Sequence, residues 1–130
     1  VQEIIRVSAV TGTQPYLTSV QTEKHIVLAD EPASDGGADA GPTPSQLLCS
    51  ALASCIGITL RMYAGRKNWE LGDISVGVEL DRSGETPVFS IRLDYSKEPD
   101  TETRDRLRMI AGKCPVHKLL HHGNDFRYLN

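Results

Sequence analysis

The stretch that decides the fold is "GPTPSQLLCSALASCIGITLRMYA", residues 41–64. Thr43 can cap a helix with its hydroxyl, Pro44 suits the first helical position, and Gln46 completes the Thr-x-x-Gln spacing of a reciprocal capping box. A helix is therefore predicted from Pro44 to about Lys67. Leu48, Leu52, Cys55, Thr59 and Met62 recur at spacings of four and three, while Ala51, Ala53, Ile56 and Ile58 fill other faces. Apolar or small residues nearly all round predict a long, buried central helix. The polar run "GRKNWELGD", residues 65–73, is its exit, with Gly65 near the last turn.

Upstream, "QEIIRVSAV" (2–10), the run around Tyr16 to Val20 and "KHIVLAD" (24–30) read as a three-stranded meander, with the Gly and Pro of "TGTQPY" (11–16) marking the first turn. "EPASDGGADAGPTP" (31–44) is too poor in bulky apolar groups to be a packed element, and a loop of that length in a compact domain is often functional. Downstream, "ISVGVEL" (74–80) and "VFSIRLDY" (88–95) alternate with period two and form a hairpin across "DRSGETP" (81–87). "DTETRDRLRMIAGK" (100–113) is a charged helix with a narrow stripe of Leu107, Ile110 and Ala111, closed by Gly112. A short helix from Pro115 to about His121 and a last strand, "DFRYL" (125–129), complete an α+β fold with antiparallel pairing.

The chain has 130 residues, 39% hydrophobic and 24% charged, which fits a single domain spanning residues 1–130. Its formal charge of −3 and scattered basic residues argue against a nucleic-acid partner. No apolar run approaches the ~18 residues that cross a bilayer, and "VQEIIRV" lacks the layout of a secretory signal, so a soluble, cytoplasmic protein without a membrane partner is expected. A monomer of this size has little room to sheath a helix that is apolar on every side. A two-fold homodimer is the simplest way to cover it.

Cys49, Cys55 and Cys114 include no Cys-x-x-Cys pair and no zinc-like spacing, so neither a disulfide framework nor a metal or other cofactor is expected. Cys114 precedes Pro115 and should occupy a helix N-cap, where free amides and the helix dipole would lower a thiol pKa; the alternative is a small capping residue without chemistry. Cys55, in mid-helix, reads either as a small core hydrophobe or as a reactive thiol. Cys49 lies six residues before it, about 120° round the axis, so these two cannot bridge. Any intramolecular disulfide has to involve Cys114, with Cys55 the more central candidate. His117 and His121 have the i, i+4 spacing of a metal-binding face but lack the Glu of H-E-x-x-H, and a solvated helix end is the better reading. Asp30, Glu31, Asp35 and Asp39 read as a solvated loop.

The Thr-Pro dipeptide, a cysteine eleven residues beyond Pro44 in an apolar helix, and "CPVHKLL" (114–120) some sixty residues later resemble the OsmC/Ohr family of osmotically inducible and organic hydroperoxide resistance proteins. The likeness covers the chain from about Gly41 to its end. It implies an intertwined homodimer with the long helices at its centre and sites at the subunit interface. It also implies a thiol-dependent hydroperoxide reductase in oxidative-stress defence: Cys55 matches the peroxidatic position, Cys114 the resolving one, and a dithiol reduces the disulfide they form. Leu48, Leu52, Ile58 and Met62 are then the candidate lining for an organic hydroperoxide. Two departures from the family pattern stand out. Ser45 replaces the Glu that commonly follows the dipeptide, and no Arg occurs between Arg6 and Arg61 to pair with the thiolate, which leaves Lys24, His25 or a residue of a second subunit as substitutes. These departures motivate the alternative of a non-catalytic stress or small-molecule-binding protein that keeps the dimer.

Overall fold

The computed structural model describes residues 4–130. The chain divides into two compact units, up to Leu48 and from Cys49 onward, with the boundary inside the long helix. In the first unit, strands β1 (Ser8–Thr11), β2 (Thr18–Gln21) and β3 (Ile26–Ala29) form the antiparallel meander, in the order β1-β2-β3. Ala9 pairs with Val20, and Val20 with Val27. The strands are shorter than the apolar runs that announce them, and Gln2 and Glu3 of the first run lie outside the described residues.

The segment after β3 is an ordered loop built around one carboxylate. Asp30 is 2% exposed; its Oδ1 accepts from the Glu31 amide at 2.8 Å, and its Oδ2 from the amides of Ala38 at 3.2 Å and Ala40 at 3.1 Å. A short 3-10 turn, Ala33–Asp35, lies between those contacts. A Cβ on Gly37 would stand 2.0 Å from the Glu31 carbonyl oxygen, and one on Gly41 would stand 2.6 Å from that of Leu28. Gly37 and Gly41 are therefore required by close backbone approach, and Gly36 by its left-handed backbone (φ 91°). Asp30, read from sequence as part of a solvated acidic run, is instead the buried centre of the loop.

Helix α1 (Pro44–Lys67) starts as predicted: the Thr43 amide donates to Gln46 Oε1 at 2.9 Å, and the Gln46 amide to Thr43 Oγ1 at 3.1 Å. Its exit differs. Gly65 is an ordinary helical residue, and the left-handed conformation falls on Asn68 (φ 56°), a residue type whose short polar side chain tolerates it. Arg61 donates to the Gly72 carbonyl in the connection that follows.

In the second unit, β4 (Ile74–Asp81) and β5 (Val88–Tyr95) form the hairpin, with Val76 opposite Leu93 and Val78 opposite Ile91. Asp81 Oδ1 organises the turn by accepting from both the amide and the hydroxyl of Ser83. Helix α2 (Thr101–Ala111) is capped by Asp100, whose side chain accepts from the Thr103 amide at 2.7 Å. Helix α3 (Pro115–His121) follows after three residues. The core joins one stripe of α1 (Leu52, Ile56, Leu60, Ala64) to Leu107, Ile110 and Ala111 of α2, with Leu71, Tyr95 and Cys114. A fully buried Leu or Ile contributes about 1.5–3 kcal/mol, so this four-residue stripe is the main tie of α1 to its unit.

Within one chain α1 is buried along one stripe only, and Leu48, Ile58 and Met62 are 41%, 57% and 58% exposed, on faces whose cover the sequence reading assigned to a second subunit. Two other sequence expectations need correction. By length and composition α1 is also apolar enough to cross a membrane, contrary to the count of apolar runs. Ser50, Ser54 and Thr59 break such runs while adding little polarity, and one stripe of α1 packs into the core of its unit. Finally, residues 125–129 are not a strand; Phe126, Tyr128 and Leu129 are almost fully exposed, and no strand among the described residues pairs with them. Alternation announces a strand only where a sheet edge receives its backbone hydrogen bonds.

The three amides on Asp30, Ala40 first, hold its carboxyl below the ordinary carboxylate range against the opposing effect of burial. A lowered folded pKa contributes stability that is present above the unfolded value, about 3.9, and is lost as pH falls through the lower folded value. Urea midpoints measured from pH 7 downward should therefore fall through that window. Asp30→Asn should start lower and show a flatter acid limb.

Candidate functional site

Cys55 and Cys114 come together although 59 positions separate them in sequence. Cys55 projects from the middle of α1, and Cys114 occupies the N-cap of α3 with extended backbone (φ −65°, ψ 145°) and Pro115 next in line. The two side chains lie near enough for the Cys55 thiol to act on that of Cys114, and all three cysteines are free. Cys114 is fixed from several directions. Its amide donates to the Ala111 carbonyl at 3.3 Å, its carbonyl accepts from Lys118 at 3.1 Å, and its Sγ accepts from the His117 amide at 3.3 Å.

The capping geometry is thus as the sequence indicates, but its electrostatic consequence is not. Cys114 is 0% exposed, and burial pushes its thiol up from the ordinary range. The His117 and Val116 amides pull the other way, and the neighbouring Cys55 adds to the upward push. Desolvation outweighs the two amides that the start of α3 offers the sulfur. The direction is thus opposite to the one expected from the helix mouth alone. Cys55 is half-buried, packs against the core and retains solvent contact.

The lining candidates separate. Leu52 is 2% exposed and borders a cavity of about 520 Å³, shared with Pro87, Val88, Phe89, Leu120 and His117. Neither sulfur lines that cavity. Ile58 and Met62, three and seven residues beyond Cys55, lie on its side of α1 at 100° per residue and are exposed. Leu48 is exposed near the start of the helix.

Several cations of this unit are engaged elsewhere. Arg61 bonds the Gly72 carbonyl, Arg104 pairs with Glu98, and Arg66 and Arg106 lie over the rings of Tyr63 and Trp69 at 5.6 and 5.9 Å. Lys24 and His25 belong to the first unit, at the β2–β3 turn, where the His25 amide donates to Thr22 Oγ1. The His117 and His121 rings lie 6.3 Å apart, and no group of three or more metal-ligating side chains occurs among the described residues. The sequence places His117 at a solvated helix end. It is half-buried, supplies the amide that meets Cys114 and borders two cavities. Its position right after the Cys-Pro-Val cap was the only sequence signal for that role.

An α+β chain with two antiparallel sheets, a thiol on the long helix and a second thiol capping a short one defines a class, and comparison with known proteins agrees. Residues 36–128 match the family model described as OsmC-like protein, and the chain belongs to that family. A crystal structure from Psychrobacter arcticus, described as an osmotic stress induced and detoxification response protein, aligns with a TM-score of 0.76 at 20% identity, covering 92% of this chain and 90% of that one. An OsmC-like protein from Mycoplasma pneumoniae aligns with a TM-score of 0.73 at 18% identity, covering 93% and 89%. The organic hydroperoxide resistance protein OhrB of Bacillus subtilis aligns with a TM-score of 0.61 at 23% identity, covering 92% of each chain. At these identities the likeness establishes the fold. No curated protein matches the chain.

In the native, reduced protein at neutral pH, iodoacetamide should label Cys114 last, after Cys55 and Cys49, because its thiol is both buried and held protonated. Peptide mapping of a time course gives the order, and early labelling of Cys114 would contradict the burial described.

Proposed function

We propose that this protein is a thiol-dependent hydroperoxide reductase in which Cys55 is the peroxidatic residue and Cys114 the resolving one. The observation that carries the reading is the proximity of the two thiols in one core across 59 positions, one solvent-reachable and one sealed. Cys55 sulfur attacks the O–O bond as a thiolate: the S–O bond forms, the O–O bond breaks, and the leaving alkoxide takes a proton to become an alcohol. Cys55 is then a sulfenic acid. Cys114 sulfur displaces its hydroxyl, losing the thiol proton; water leaves and the disulfide forms. An external dithiol returns both cysteines to thiols and is itself oxidised to a disulfide. Burial of Cys114 suits the resolving role, since a protonated, enclosed thiol does not compete for peroxide yet lies near the sulfur it must reach.

Ile58, Met62 and Leu48, with Leu52 on the core side, supply an apolar approach to Cys55 that suits organic hydroperoxides. Their exposure in one chain supports a homodimer in which a second copy covers this face of α1 and completes the site. Oxidative-stress defence in the cytoplasm is the setting in which such chemistry is useful.

Ser45 and the upward push on Cys114 favour a second reading, a non-catalytic binding protein that keeps the dimer. One titration separates the two. Stoichiometric cumene hydroperoxide should remove two thiols and about 2 Da through a Cys55–Cys114 disulfide. Cys55→Ser should abolish the reaction, and Cys114→Ser should halt at sulfenic acid and then over-oxidise. Retention of all three thiols would leave the binding reading in place.

The dimer has its own test. Ile58→Asp with Met62→Asp should convert a dimeric species to a monomer by sedimentation velocity, while circular dichroism stays unchanged because both side chains are exposed within the chain.

A further inference from the structure

A disulfide joining Cys55 to Cys114 offers an incoming thiolate two sulfurs, and the structure gives them unequal surroundings. Thiol–disulfide exchange is a displacement at sulfur in which the attacking atom stands in line with the bond that breaks, opposite the leaving sulfur. Each sulfur is therefore open only from its own end of the bond. Cys114 is 0% exposed, with the His117 amide on its sulfur at 3.3 Å and Pro115 next in the chain. It lines neither of the cavities that border α3. Cys55 is half-buried and keeps solvent contact. Ala51, four residues before it, and Ile58, three after, are exposed neighbours on the same helix surface. A peroxide that reaches Cys55 already needs an opening at this sulfur, and a thiol can use the same one.

We propose that the external dithiol enters at Cys55 alone, so that this residue meets first the peroxide and then the reductant, while Cys114 is the leaving sulfur of the reduction. The assignment rests on the disulfide of the cycle proposed above. One thiolate of the dithiol attacks Cys55 Sγ; the new S–S bond forms, the bond to Cys114 breaks, and its electron pair leaves on the Cys114 sulfur. That sulfur receives the charge beside the His117 and Val116 amides and then takes a proton. The second thiol of the reductant, once deprotonated, attacks the reductant's own sulfur in the mixed disulfide, which closes the reductant's disulfide and returns Cys55 as a thiolate. Two electrons have passed to the protein. Two effects compete at the first step. A thiol pushed upward by burial is a poor leaving group, which counts against departure of Cys114. Closure decides, because no line of attack reaches the alternative sulfur. The same upward push then protects the intermediate: released Cys114 is protonated and slow to attack the mixed disulfide beside it, which leaves time for the second thiol of the reductant.

Diamide forms the disulfide without peroxide and so separates this assignment from the peroxidase reading. The full chain, oxidised with diamide, treated briefly with limiting mercaptoethanol and quenched into acidic denaturant containing N-ethylmaleimide, should carry the mercaptoethanol adduct on Cys55 and the maleimide on Cys114 by peptide mapping. In the Cys55→Ser protein, dipyridyl disulfide should leave Cys114 unmodified in the native state and modify it once urea unfolds the chain. An adduct on Cys114, adducts shared evenly between the two cysteines, or ready modification of native Cys114 would each overturn the assignment. So would a diamide-treated protein that lacks the Cys55–Cys114 disulfide, or whose disulfide is inert to mercaptoethanol. If diamide forms the disulfide and cumene hydroperoxide does not, the peroxidase reading fails, and the adduct map still decides which sulfur a thiol attacks.

Discussion

The packing of the α1 stripe against α2, α3 and the β4–β5 hairpin is the constraint on which the rest of this structure depends. Leu52, Ile56, Leu60 and Ala64 recur every fourth residue and are almost wholly removed from solvent. They fix both the height and the rotation of α1, and with it the direction in which Cys55 projects. Leu107, Ile110 and Ala111 fix the end of α2 against the same core, so the three-residue link to α3 has little freedom in where it can set Cys114. The meeting of the sulfurs follows from these two placements, and neither cysteine is drawn to the other by any local feature of its own segment.

The competition at Cys114 shows how magnitude decides between two correct principles. A helix N-cap does offer amide donors to sulfur, and the His117 amide is in place at 3.3 Å. Complete burial opposes ionisation more strongly than the His117 and Val116 amides favour it. The cap consequently acts as a positioning device. It orients the sulfur toward α1 and leaves it protonated, a state suited to a thiol that waits for its neighbour to be oxidised.

Asp30 and Tyr95 are opposite solutions to the burial of a polar group. Asp30 is enclosed with three amide donors and organises the loop that leads to α1. Tyr95 is enclosed with none, beside two guanidiniums in a small cavity. The first is a completed structural element.

The sequence alone determined most of the elements and their limits. Thr43, Pro44 and Gln46 announce the start of α1 through a hydrogen-bonding pattern local to four residues, and period-two alternation announces the hairpin. The paired cysteine motifs were sufficient to indicate the family, because the Thr-Pro helix start and the Cys-Pro-Val cap are themselves local patterns. Only the tertiary structure decided which face of α1 is buried, since apolar residues surround it and composition cannot choose a side. It also decided that residues 125–129 form no strand within the chain, that Asp30 is buried, and that Cys114 resists ionisation. Each of these depends on how much solvent the fold removes from a group, a property of neighbours distant along the chain.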